Sequence, residues 1–215
     1  MIVFFDFDDV LFHTNQFRKD LKGVFKEQGI TEEFFVQSYI AIKKSFSGGK
    51  MRTYDFDRHV KELHGYTSFD EKKLRDSVDV FLRGSGKYLF SDSLLIIKDI
   101  KNRGDRVAIV SYGTASFQEK KVQSSGIEKF VDESMVGDIH KGKAIRTYLE
   151  NERDGGRNSW FIEDREEHIR NVKEENPHIQ TILLTRSEGR YGDSMSRYCD
   201  FEAKNMKEVK DIIIR

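Results

Sequence analysis

The stretch Ile2-Val3-Phe4-Phe5-Asp6-Phe7-Asp8-Asp9-Val10-Leu11 decides how the rest of the chain is read. Four apolar residues in a row, Ile2 to Phe5, predict a strand buried on both faces, as at the centre of a parallel sheet. The run then breaks into acid at Asp6, Asp8 and Asp9. An unpaired buried carboxylate is very costly, so acids closing a buried strand require partners. In open α/β sheets the carboxyl ends of central strands are also where ligands bind. Asp6 and Asp8 stand two apart, so an extended chain points both roughly the same way. Such a pair suits a divalent cation, or a nucleophile beside an acid/base. The plainer alternative is an Asp-rich turn after an N-terminal strand.

A chain of 215 residues has ample length to bury a core, as one ordinary domain or as a core with a smaller insert. With 37% hydrophobic and 34% charged residues, it reads as a soluble globular protein with a heavily charged surface. The 37 basic residues balance 37 acidic ones, which removes any general electrostatic case for nucleic acid or an anionic membrane as partner. The N-terminal apolar run is too short for a signal or spanning segment and lacks a basic leader. Cys199 is the only cysteine, so no internal disulfide can form, which suits a reducing cytoplasm. The six histidines form no pair at metal-binding spacing, so zinc is not expected.

After Leu11 the period changes from strand to helix. Thr14 or Asn15 is positioned to cap a helix carrying Phe17, Leu21, Val24 and Phe25, stopped by Gly29. Thr31 caps a second, with Phe35, Tyr39, Ile42 and Phe46 at helical spacing, before a Ser47-Gly48-Gly49-Lys50 loop. Phe56, Val60 and Leu63 mark a third. Ser68 and Glu71 read as a capping box for a fourth, bearing Leu74, Val78 and Phe81. Four helices without a strand, closed by Arg83-Gly84-Ser85-Gly86, predict a helical bundle inserted into another fold.

Strand and helix then alternate. Helices are predicted from Asp92 or Ser93 to Gly104, through Phe117 and Val122, from Lys141 through Leu149, after Asp164, and over Met206, Val209 and Ile213. Strands are predicted at Arg106–Ser111, more weakly at Val131–Val136, at Asn158–Ile162 and at Ile179–Leu184, with a short segment near Tyr198–Phe201. The alternation implies α/β architecture, a Rossmann-like parallel sheet with helices on both faces. Residues 1–13 and 87–215 are expected to form this core, and residues 14–86 an inserted α-helical cap domain.

Asp6-Phe7-Asp8-Asp9-Val10 resembles the first motif of the haloacid dehalogenase (HAD) superfamily, a strand ending in Asp-x-Asp-x-(Thr/Val). Many members carry glycine where this chain has Asp9. The resemblance extends along the chain. Val110-Ser111-Tyr112-Gly113 places a hydroxyl and turn amides at a strand end, where they can hold phosphate oxygens, and is similar to the second motif. Lys141 opens a helix as the third-motif lysine does; Lys143 competes, but members often follow the lysine with glycine, as Lys141-Gly142 does. Phe161-Ile162-Glu163-Asp164 resembles the fourth motif, whose acid binds metal. Where many members place another Asp four residues on, this chain has His168, leaving Glu163, Glu166 or Glu167 to supply that charge. The insert occupies the place of the family's C1-type cap.

The resemblance implies a Mg2+-dependent phosphatase acting on a small phosphorylated metabolite through an aspartyl-phosphate on Asp6. Asp8 would be the acid/base, with a pKa above that of Asp6. Asp6, the backbone carbonyl of Asp8, and Asp164 would hold the magnesium, and Ser111, with the Tyr112-Gly113 turn and Lys141, the phosphoryl oxygens. Lys50 and Arg52, in the cap loop, are the expected readers of an anionic substrate tail. An acid at Asp8 counts against dehalogenation. A phosphomutase of the sugar-phosphate type and a non-catalytic magnesium- or phosphate-binding module remain as alternatives.

Overall fold

The computed structural model describes residues 1–44, 54–150, 152 and 156–214. Phe46, Ser47–Lys50 and Arg52 therefore lie outside the described residues.

Among the described residues, six parallel strands form one sheet: β1 (Ile2–Phe5), β2 (Arg106–Tyr112), β3 (Glu133–Gly137), β4 (Ser159–Glu163), β5 (Gln180–Leu184) and β6 (Phe201–Ala203), in the order β3-β2-β1-β4-β5-β6. This is the doubly wound order, and it reverses direction at β1, the switch point outside whose strand ends such sheets bind ligands. The strand read from Ile2–Phe5 is buried on both faces. Val3 and Phe5 join one apolar cluster; Ile2 and Phe4 join a second, on the opposite face, with Ile145, Phe161 and Ile169. The core helices are α5 (Ser91–Asn102), α6 (Ala115–Ser125), α7 (Lys141–Leu149), α8 (Glu166–Glu175) and α9 (Met206–Ile213).

Between β1 and α5, the described residues form four α-helices: α1 (Thr14–Glu27), α2 (Glu32–Lys44), α3 (Phe56–Leu63) and α4 (Glu71–Arg83). Each buries an apolar stripe, Phe17, Leu21 and Phe25 on α1 and Leu74, Val78 and Leu82 on α4. The two connections to the sheet are tied together: the His13 amide donates to the Tyr88 carbonyl (2.7 Å) and the Phe90 amide to the Leu11 carbonyl (3.0 Å). The apolar cluster that holds Val3 and Phe5 continues through Phe12 and Phe17 to Phe25, Leu63 and Leu74. The insert thus shares its core with one face of the sheet.

Two caps differ from the sequence reading. The N-cap of α1 is His13, because the Thr14 hydroxyl is drawn to Asp8 instead. Helix α4 is capped by Asp70, which accepts from the Lys73 amide at 2.9 Å. Glu71 is consequently inside the helix, where it pairs with Arg75 and His64 rather than reaching back to Ser68.

Gly142 has a packing role. A Cβ there would lie 2.5 Å from the Asn171 carbonyl oxygen and 2.9 Å from Glu175 Cγ, so its absence lets α7 settle against α8. The same contact is secured by Asn171, which accepts from the Gly142 amide at 2.9 Å, and by Asn176, which donates to the Gly142 carbonyl at 2.8 Å. Gly142→Ala should destabilise the protein by about 1–3 kcal/mol, the usual cost of overpacking, and chemical denaturation should show the loss as a lower midpoint at unchanged slope.

Candidate active site

The register of β1 against β4 brings the site together. Phe5 pairs with Ile162, and the Asp6 amide donates to the Ile162 carbonyl at 2.9 Å, so Asp6 and Glu163 leave the sheet side by side. Lys141, first residue of α7, is 3% exposed and places Nζ 2.7 Å from Asp6 Oδ1 and 2.5 Å from Glu163 Oε2. Lys143 is exposed to solvent. Glu163 is completely buried; its Oε1 accepts from the amides of Asp164 (3.1 Å) and Arg165 (3.2 Å), and Oε2 also meets His168 Nδ1 at 3.2 Å. His168, which stands where many members carry an acid, thus faces the acid that this chain carries at Glu163.

Carboxylate oxygens of Asp6, Glu163 and Asp164 lie within 4.8 Å of one another, and all three residues are buried. Asp164 Oδ2 has no hydrogen-bond partner. Three carboxylates are more than the one ammonium of Lys141 can compensate. An orphaned oxygen in a buried, all-oxygen site rich in carboxylates fits a hard divalent cation such as magnesium. Electrostatics agree. Burial, then Glu163, pushes Asp6 up to about 7 against the pull of Lys141. Burial with Glu163 and Asp6 holds Asp164 well above the usual carboxylate range. Glu163 itself is held low, because Lys141 and His168 outweigh its burial.

Asp8 occupies different surroundings. Strand β1 ends at Phe5, and the Leu11 and Phe12 amides both turn back onto the Phe7 carbonyl (3.0 Å each), so the two-residue alternation of a strand no longer governs Asp8. Its Oδ1 accepts from Lys121 Nζ at 2.6 Å and from the Thr14 hydroxyl, and its Oδ2 accepts from Gln118 Nε2 at 2.7 Å. Burial alone would raise this carboxyl, but Lys121 and then Arg190 outweigh it and hold Asp8 well below the usual range. The order expected from the sequence, Asp8 above Asp6, is therefore reversed here. Two cations act on Asp8, whereas Asp6 shares one lysine with Glu163.

Ser111, at the end of β2, accepts from Gln118 Nε2 at 2.8 Å. The Gly113 amide donates to the Gly137 carbonyl at 2.9 Å and so prolongs the β2–β3 ladder, and the Tyr112 ring stacks on His140 with centroids 6.0 Å apart. Asp9 explains its own position: its φ of +59° suits the glycine common there, Asp is among the residues that tolerate it, and its buried carboxylate is paired with Arg190. Sequence reasoning gives Thr14 only as a helix cap and does not single out Gln118, Lys121 or Arg190. The helix is legible from Phe117 and Val122, but nothing local marks Lys121 as buried.

The sheet order, the inserted helices and the acids at the strand ends together define a protein with the haloacid dehalogenase fold. Comparison with known proteins agrees. HAD-hydrolase YfnB from Bacillus subtilis, in a magnesium-bound crystal form, superposes with a TM-score of 0.70 at 17% identity, covering 99% of this chain and 97% of that one. A protein from Burkholderia xenovorans LB400 assigned as a haloacid dehalogenase-like hydrolase gives a TM-score of 0.74 at 15% identity, with 98% and 95% covered. In sequence, the chain is 27% identical over 146 residues to glyceraldehyde 3-phosphate phosphatase of Methanothermobacter thermautotrophicus. That match covers 63% of this chain and 62% of the relative's length. No family model matches the chain.

Asp164→Asn should weaken magnesium binding by at least about tenfold, since even partners of metal ligands cost 10- to 100-fold when removed. Burial and the neighbouring acids favour the protonated forms of both Asp6 and Asp164 in the metal-free protein, so cation binding should expel protons from the pair. Apparent magnesium affinity should therefore rise as pH increases through about 7. Calorimetric titration in two buffers of different ionisation enthalpy would count the released protons.

Proposed function

We propose that this protein is a magnesium-dependent phosphoric monoester hydrolase acting on a small phosphorylated metabolite through an aspartyl-phosphate on Asp6. The observation that carries the reading is the convergence of Asp6, Glu163, Asp164 and Lys141 at the switch point of the sheet, with Asp8 and Ser111 joined beside them through Gln118. Asp6, Asp164 and the Asp8 carbonyl would hold the magnesium, whose charge would offset that of the carboxylates and the phosphoryl group. Asp6 attacks phosphorus in line, the bond to the ester oxygen breaks, and the leaving oxygen takes its proton from Asp8. Water then attacks the same phosphorus and gives a proton to Asp8, and the bond to Asp6 returns its electron pair to the carboxylate. Lys141 and Ser111 hold phosphoryl oxygens.

Asp8 rests ionised beside Lys121, the form the second step needs. Giving a proton in the first step requires it to leave that lysine and take up a proton beforehand. Residues 14–86 act as a cap over the site, with Lys50 and Arg52 as readers of the substrate. Similarity to a glyceraldehyde 3-phosphate phosphatase makes triose phosphates the first substrates to test. A cytoplasmic setting is in keeping with a lone, buried Cys199, and no described helix is long and apolar enough to cross a membrane.

Phosphate release from an activated aryl phosphate and from triose phosphates should disappear with a chelator and return with magnesium. Asp6→Asn should abolish it while the circular dichroism spectrum stays unchanged. Near-normal turnover by that variant overturns the covalent route. An isomerised sugar phosphate in place of free phosphate would make the protein a mutase.

A further inference from the structure

Helix α6 sends two side chains, three residues apart and so on one face, to a single carboxylate. Gln118 is 6% exposed, and its Nε2 donates both to Asp8 Oδ2 at 2.7 Å and to Ser111 Oγ at 2.8 Å. Its path depends on Gly113, where a Cβ would come within 2.9 Å of Gln118 Cβ and Cγ. The glycine after β2 thus makes room for this side chain, while its own amide serves the sheet. Lys121 is 3% exposed, and Nζ lies 5.3–5.6 Å from the ring centres of Phe7, Phe12 and Phe17, with Asp8 Oδ1 at 2.6 Å. An ammonium in such an apolar setting is costly unless paired. An aliphatic side chain would fill the space without that cost.

We infer that Gln118 and Lys121 are positioning residues that hold Asp8 to take the proton of the attacking water, an inference resting on the phosphatase reading above. Lys121 and Thr14 engage Oδ1, whereas Oδ2 has a single donor, which it shares with Ser111. Oδ2 therefore keeps the freer lone pair and takes the proton of the attacking water. Gln118 fixes that oxygen relative to Ser111, so the base and the phosphate subsite keep one spacing. A misplacement of about 1 Å at such a site costs about 100-fold in rate.

Rapid quench with 4-nitrophenyl phosphate, followed by intact-mass measurement, tests this. Its leaving group needs little protonation, so loss of Asp8 function shows as slow hydrolysis of the phosphoenzyme. Lys121→Met should lower kcat about 10- to 100-fold with KM within about threefold, and should accumulate a phosphate adduct as Asp8→Asn does. The Asp8→Asn/Lys121→Met double variant should be no slower than Asp8→Asn alone. Lys121→Arg should restore part of kcat, and Gln118→Leu should lower kcat, raise KM and also accumulate adduct; these two carry the test if Lys121→Met melts below the assay temperature. An adduct on Asp8→Asn but none on the α6 variants, or fully multiplicative rate losses, overturns the inference and leaves the phosphatase reading standing. Turnover that survives Asp6→Asn overturns both.

Discussion

The ammonium of Lys141, enclosed between Asp6 and Glu163, is the contact on which the site depends. Two carboxylates cannot leave adjacent buried strands side by side unless a positive charge reaches them, because removing either from water unpaired costs several kcal/mol. Lys141 reaches them because α7 begins directly beyond β3 and lies close on α8, a closeness set by the missing side chain of Gly142. The lysine compensates only part of the charge. What remains, with the unpartnered Asp164 oxygen, suits the site to a cation.

A second electrostatic centre stands next to the first. Asp8, two residues from Asp6, is governed by Lys121, Gln118 and Thr14, and Arg190 neutralises Asp9 from the loop after β5. Asp6 and Asp8 therefore begin from opposite states, one inclined to hold a proton and the other to lose it. These states arise here from a strand that ends at Phe5 and a tight turn that follows, which hands each acid to a different helix.

The apolar insert belongs to this arrangement. Phe117 of α6 packs against Phe17, Tyr54 and Phe56 of the insert, with ring centres 5.0–6.4 Å apart, one residue before Gln118. The helix that holds Asp8 is thus seated on the inserted helices as well as on the sheet. Arg186, on the loop after β5, pairs with both oxygens of Asp92 and stacks on Phe90 beside the returning connection. The returning connection of the insert therefore contacts the loop after β5.

The sequence by itself determined the buried central strand, the strand–helix alternation and the chain positions of Asp6, Asp8, Ser111, Lys141 and Asp164. Each of these is a local signal: a run of apolar residues, a period, or a residue type at the end of a strand. It also placed an acid at Glu163 without its partner. Tertiary structure alone decided that Glu163 shares Lys141 with Asp6, that Asp70 rather than Ser68 caps α4, and that Gly113 clears a path for Gln118. The same holds for Lys121, which lies 113 residues from Asp8 and looks in the sequence like any surface lysine. Partners so distant are set by strand order and register, and the charge state of a buried acid by whichever cation the fold brings to it. No local pattern encodes either.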